Sequence, residues 1–167
     1  MTHVAEWGVP IRLEEFSDEH AMSVIELVRG ILRDDFGIVG AAAEQPDLFD
    51  IRQHYGRGSS NFWIAVDGDQ LIGTTGFVDL GGKQGLLRKM FVRSDHRGTG
   101  IARVLLDNAM KWARDHGFVE IYLGTNSKFQ AAHRFYEKHG FSPVSPGSLP
   151  DTVPRLNLRD RFYVRAL

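Results

Sequence analysis

The stretch from Leu86 to Asp115 constrains the fold of this 167-residue chain more than any other. Leu86 to Val92 is mostly apolar and reads as a strand. Ser94-Asp95-His96-Arg97-Gly98-Thr99-Gly100 follows as a polar, glycine-bearing loop. The spacing then predicts a long helix over Gly100 to Asp115. Ile101, Ala102, Leu105, Leu106, Ala109, Met110, Trp112 and Ala113 share one broad arc, and Arg103, Asp107, Lys111, Arg114 and Asp115 occupy the other. His116-Gly117 ends it, with glycine as the left-handed cap. The glycine loop therefore sits at a helix N-terminus, where unpaired backbone N–H groups carry a partial positive charge of roughly half a unit. Glycines there let an anion approach those donors, and Arg97 adds a charged fork. The chemistry this predicts is anion binding, most simply of a pyrophosphate; the competing reading is a connection that binds nothing.

Two common phosphate loops do not fit. No window has the Gly, four residues, Gly-Lys-Ser/Thr spacing of a Walker loop. The dinucleotide fingerprint needs a third glycine where Arg103 stands, and Glu120 falls at the start of the next strand instead of its end.

The rest of the chain supplies the partners of this unit. Ile11-Arg12-Leu13 alternates as a first strand. Ser17 is placed as a capping hydroxyl with Asp18 and Glu19 in the first turn, and Ala21, Met22, Ile25, Val28 and Leu32 predict an amphipathic helix over Asp18 to Arg33. Pro46 opens a short helix reaching Tyr55. Asn61–Val66 and Leu71–Leu80 read as a hairpin around Asp67-Gly68-Asp69-Gln70, and a second turn, Gly81 to Gly85, leads into Leu86–Val92. Val119–Thr125 is a strand. Lys128–His139 is a helix with Phe129, Ala131, Ala132, Phe135 and Tyr136 on its apolar arc, closed by Gly140. Prolines at 143, 146, 150 and 154 break up the next stretch, and Arg159–Ala166 is a last strand. The order predicts one α/β domain of the α+β type over residues 1–167, with a mixed sheet and helices packed on it.

Composition narrows the function classes. The chain has no cysteine, which removes disulfides, thiolate metal sites and cysteine nucleophiles together. The seven histidines show no ligand spacing, so no metal is expected. Lys plus Arg number 20 against 21 for Asp plus Glu, so no global footprint for nucleic acid or an anionic membrane is present. No apolar run approaches a spanning length, and Met1 to Pro10 lacks a basic stretch followed by an apolar one. A cytoplasmic protein is the default expectation.

At two places the sequence resembles the GNAT superfamily of N-acetyltransferases. Arg97, Gly100 and Ala102 match that family's acetyl-coenzyme A motif of Arg or Gln, two residues, Gly, one residue, Gly or Ala. The run from Met90-Phe91-Val92 to Leu105-Leu106 resembles its strand, loop and helix. Downstream, Ala131-Ala132-His133-Arg134-Phe135-Tyr136-Glu137-Lys138-His139-Gly140-Phe141 is similar to its second signature, a tyrosine-bearing helix closed by Gly-Phe. The resemblance runs from about Asn61 to Val144. It implies a mixed, mostly antiparallel twisted sheet of about six to seven strands flanked by about four helices. It implies acetyl-CoA as co-substrate and an amine acceptor, either a small molecule or a peptide or protein amine. It further implies pyrophosphate on Arg97, Gly98, Thr99, Gly100, Ile101 and Ala102, pantetheine beside Met90, Phe91 and Val92 like an added strand, an oxyanion donor near Met90 or Phe91, and Tyr136 as the catalytic acid. Many members carry an Asn seven residues before that tyrosine; Phe129 stands there, and Asn126 lies nearby at a different offset. A homodimer, common in the family, is an open alternative.

A lysine-like amine has a pKa of about 10.4 and gains from a base. Leu86–Val92 offers Arg88 and Lys89 instead of a carboxylate, which leaves Asp79 and His133 as candidates. Asp34, Asp35, Glu44, Asp47 and Asp50 gather where the family builds its acceptor site; they either attract a cationic amine or form a solvated face. Two other functions stay open at this point: a non-catalytic acyl-CoA sensor on the same fold, and a nucleotide-binding module using the same loop.

Overall fold

The computed structural model describes residues 2–4, 10–40, 44–155 and 159–167. The reading of the Met1–Pro10 stretch falls largely outside them. The strands are β1 (Thr2–Val4), β2 (Pro10–Glu15), β3 (Asn61–Asp67), β4 (Gln70–Gly81), β5 (Gln84–Val92), β6 (Glu120–Thr125), β7 (Ser142–Val144) and β8 (Arg161–Ala166). The helices are α1 (Ala21–Phe36), α2 (Ile51–Tyr55), α3 (Ile101–Asp115) and α4 (Gln130–Lys138). One sheet runs in the order β1-β2-β3-β4-β5-β6-β8-β7. Its eight strands include the three-residue edges β1 and β7. Only β5 and β6 pair in parallel among these neighbours, because α3 carries the chain over the sheet between them.

The period-two alternation of β3 divides the core. Phe62, Ile64 and Val66 pack with Val24, Val28 and Leu32 of α1 and Ile51 of α2. Trp63 packs with Leu106 and Met110 of α3, and Ala65 with Ile101 and Leu105. Alternate residues serve opposite faces, so both faces of the sheet are covered and the strand is apolar throughout its middle. Among the described residues no helix is long and apolar enough to cross a membrane.

The helix placed over Asp18–Arg33 begins as a tight 3-10 turn, Asp18–His20, and its α-helical part reaches Phe36, where Gly37 at φ +65° donates to Arg33 and Leu32 carbonyls. Ser17 does not cap it: its hydroxyl meets the His20 ring at 3.0 Å and the Glu19 carboxylate at 3.3 Å, so the side chain is already satisfied. Gly117, at φ +80°, follows α3 as expected. The helix placed over Lys128–His139 is shorter, because 126–129 form a turn in which the Phe129 N–H donates to Asn126 O at 3.0 Å.

Candidate active site

The parallel register of β5 and β6 ends at Leu87 opposite Leu123. Beyond that point the two strands no longer pair, and a cleft of about 550 Å³ opens between them. The β6-facing edge of β5 from Arg88 to Val92 is thus left outside any ladder with β6. On its other side β5 carries a bulge: Phe91 faces Thr74 and Arg88 faces Gly76, so Lys89 and Met90 together oppose Thr75. Lys89 takes φ +54°, a left-handed conformation uncommon for a side-chain-bearing residue, and its carbonyl accepts from Thr74 Oγ1 at 2.6 Å.

The buried Lys89 ammonium is compensated by residues before and within α2. Its Nζ stands 3.1 Å from Asp47 Oδ1 and also donates to Gln45 Oε1, while the Tyr55 hydroxyl donates to Asp47 Oδ2. Burial pushes Lys89 down to about 8; Asp47 acts the other way, and the charges of Arg88 and Arg159 add to the depression. Burial favours the neutral form of Asp47, but Lys89, then Arg88, outweigh it and hold its carboxyl below the ordinary range. Asp47 is therefore committed to Lys89 and Tyr55. The other acids of that segment are also occupied or remote: Asp34 pairs with Arg33, Asp35 with Arg97, Asp50 accepts from the Gln53 N–H, and Glu44 is exposed. None of these five carboxylates lines the cleft.

At the far end of β5 the glycine loop forms the cleft's rim. Gly98 and Gly100 lie at φ +78° and +90°, and a Cβ at either would meet nothing within 4 Å. The loop's outer side is open, and the first turn of α3 presents N–H groups with no intrahelical acceptor. Arg97 is held by its neighbours: Nη2 donates to Asp35 Oδ2 at 2.7 Å and Nε to Val92 O at 3.1 Å. His96 braces the loop from below, with Nε2 at 3.0 Å from Asp67 Oδ2 and Nδ1 at 2.8 Å from Asp95 Oδ1. Burial alone would lower its basicity, but the two carboxylates raise it above the ordinary imidazole range. The Arg93 fork, then His96, hold Asp95 down at about 2.

α4 forms the opposite wall. Ala132 and Phe135 are half-buried and Ala131 is exposed, and with Phe129 they line the cleft. The apolar arc read from the sequence thus lines the cleft, while Ala132, Phe135 and Tyr136 also pack against the core. Phe129 meets Phe36 of α1 across the cleft, ring centroids 4.3 Å apart. Tyr136 is buried against Phe141 and Tyr163 yet lines the cleft, and no described group accepts from its hydroxyl. Burial raises its pKa well above the ordinary tyrosine value, with Arg159 acting slightly in the other direction.

Of the residues singled out from sequence, Met90, Phe91, Val92, Arg97, Gly98, Ala102, Asn126 and Tyr136 line this one cleft, and Thr99, Gly100 and Ile101 continue its rim. The two candidate bases lie elsewhere. Asp79 accepts from the Ser59 and Gly81 N–H groups. His133 is buried between the Asn126 carbonyl and the Arg161 guanidinium. Sequence reasoning gave no role to Arg88, Lys89 and Arg159; two adjacent charges inside an otherwise apolar strand were the visible signal for the first pair.

The profile described as "Acetyltransferase (GNAT) family" matches residues 25–141. Among curated proteins, N-acetyltransferase 8F1 of Rattus norvegicus is 30% identical over 145 residues, covering 80% of this chain and 66% of its own length. N-acetyltransferase 8 of Rattus norvegicus is 38% identical over 102 residues, covering 57% and 46%. The chain spans about half to two thirds of the length of such relatives. Among solved structures, a GNAT-family acetyltransferase from Staphylococcus aureus Mu50 superposes with a TM-score of 0.89 at 32% identity, over 93% of this chain and 98% of that one. The PaiA N-acetyltransferase of Thermoplasma acidophilum, solved with coenzyme A, shares the fold at a TM-score of 0.74 and 16% identity, over 94% of this chain and 99% of that one.

Proposed function

This chain belongs to the GNAT acetyltransferase family, and from that premise we propose that it transfers the acetyl group of acetyl-CoA directly to a primary amine, using one domain over residues 1–167. One observation carries the reading. A single cleft joins an open strand edge, a glycine-fronted helix N-terminus and a buried tyrosine whose hydroxyl has no described acceptor.

The residues fit the co-substrate by their own chemistry. The open outer side of Gly98 and Gly100 accommodates phosphates on the N–H groups of 97–102. The free edge at Met90–Val92 offers backbone groups to an extended amide-bearing arm, and the apolar arc of α4, flanked by Asn126, covers it. Acetyl-CoA supplies an acetyl group activated as a thioester. As the N–C bond forms, the C–S bond breaks, the sulfur leaves as thiolate and the nitrogen sheds a proton. A backbone N–H at Met90 or Phe91, re-aimed by the bulge, donates to the carbonyl oxygen where negative charge builds.

Tyr136 stays protonated, because burial raises its pKa further above that of a thiol, about 8.5. Full proton transfer from it to a thiolate is uphill, so its contribution is a hydrogen bond to the departing sulfur. No carboxylate among the described residues lines the cleft, so the amine enters neutral or gives its proton to water. The test is amine-dependent thiol release from acetyl-CoA, which this cysteine-free chain cannot contaminate. Coenzyme binding without turnover on any amine would instead identify a sensor.

A further inference from the structure

We infer that the acceptor amine carries a carboxylate one or two carbons from its nitrogen, and that Arg88 and Arg159 hold that carboxylate. The inference rests on the acetyltransferase reading and narrows its substrate class. Arg88, Lys89, Arg97, Lys128 and Arg159 all line the cleft, and among the described residues no carboxylate does. Lys89 is balanced by Asp47, and Arg97 by Asp35. The half-buried Arg88 has no hydrogen-bond acceptor or ion-pair partner among the described residues. Among the described residues Arg159 donates only to the Gly124 carbonyl, at 3.2 Å. The absence of a side chain at Gly124 makes room for it: a Cβ there would stand 2.9 Å from Arg159 Cδ.

Two guanidinium groups close together and partly out of water are unfavourable unless an anion joins them. Burial first, then the Arg88 charge, hold Arg159 below its ordinary basicity, although Tyr55, Asp47 and Tyr136 act the other way. The coenzyme's phosphates do not fill this role. Four residues, at most roughly 13 Å of extended strand, separate Arg88 from Val92, where the phosphate loop departs. The reacting centre is nearer: Arg88 precedes Met90 by two residues, roughly 6–7 Å of extended strand and less through the bulge. A planar carboxylate matches the arginine fork, and the short distance confines it to the carbons next to the amine.

The probes are L-amino acids matched with their own carboxamides, with acetyl-CoA as donor and thiol release as readout. The carboxamide amine is the less basic of each pair, so more of it is unprotonated and chemistry alone favours it. The expected result is a kcat/KM for the preferred acid about 10- to 100-fold above that of its amide. Arg88→Met should collapse that ratio at least tenfold, and Arg88→Lys, which keeps charge without the fork, should fall between. Coenzyme affinity of each variant reports whether the cleft is intact.

Equal or better use of the carboxamides overturns the inference, as does a ratio that Arg88→Met leaves alone. So does turnover of succinyl-CoA with neutral amines in preference to acetyl-CoA, since the anion would then belong to the acyl group. Transfer to other amines but to neither series also overturns it while leaving the acetyltransferase intact. Failure to bind acetyl-CoA at all overturns the acetyltransferase reading itself.

Discussion

Lys89 Nζ lies 3.1 Å from Asp47 Oδ1, both side chains almost wholly out of water, and this pair ties the bulge of β5 to the segment that opens α2. The ammonium leaves the sheet from a left-handed backbone position, and the carboxylate also receives the Tyr55 hydroxyl. Holding the bulge in register holds the N–H groups of Met90 and Phe91 beside the point where β5 and β6 part.

Removing one member of a buried ion pair leaves the other uncompensated, which costs about 3–5 kcal/mol. Asp47→Ala is therefore expected to lower stability by about that amount in urea unfolding. The double variant Asp47→Leu/Lys89→Met should recover most of it, because an apolar pair of similar volume needs no charge balance. Additive losses in the cycle of Asp47→Leu, Lys89→Met and their double variant would show that the two side chains are not coupled.

The glycine loop gives the second prediction. Gly100 sits at φ +90°, so any side chain there costs about 1–2 kcal/mol of backbone strain. Its outer side is open, so Gly100→Glu also sets a negative charge at the phosphate position. Acetyl-CoA binding by calorimetry should fall below detection in Gly100→Glu, whereas Gly100→Ala should show mainly the stability loss. Unchanged affinity in the glutamate variant would refute the loop assignment.

Much of this was legible in the sequence, and the residues show why. The continuous apolar run Phe62 to Val66 and the three- and four-residue spacing in α1 and α3 report burial directly, so these elements were placed within a few residues. Glycines needing positive φ mark their own positions, as at Gly98, Gly100 and Gly117. The role of Ser17 was not legible, because a hydroxyl's choice between a backbone N–H and a nearby ring depends on how tightly the first turn winds. Nor was the Lys89–Asp47 pair, whose members lie 42 positions apart and meet only after β5 bulges. The periodicity of α4 reports an apolar face without saying whether protein or a cleft lies against it.

Tyr136→Phe removes a hydroxyl while keeping the ring contacts with Phe141 and Tyr163. A lost hydrogen bond to charge developing in the transition state lowers kcat by about 100-fold. The affinity for acetyl-CoA should stay within about twofold, and unfolding stability should barely change. Equal turnover in the phenylalanine variant would leave Tyr136 with a packing role only.

The pH dependence of the loop follows from His96. Its two carboxylate partners raise its folded-state pKa above the unfolded value of about 6.5. The stabilisation it adds is therefore fully present below about pH 6.5 and is lost as pH rises through the higher folded-state value. Urea unfolding of the wild type should show that loss across the window above pH 6.5. His96→Gln should flatten the slope, and an unchanged slope in that variant would assign the effect elsewhere.

The central claim is that this cleft takes acetyl-CoA, with phosphates on the loop at α3 and the acyl end beside the bulge. Calorimetric titration with acetyl-CoA, run against ATP and NAD, tests it most directly. The account predicts one site per chain with micromolar affinity for acetyl-CoA and no measurable heat with the other two. Absence of binding, or preference for ATP or NAD, would contradict it.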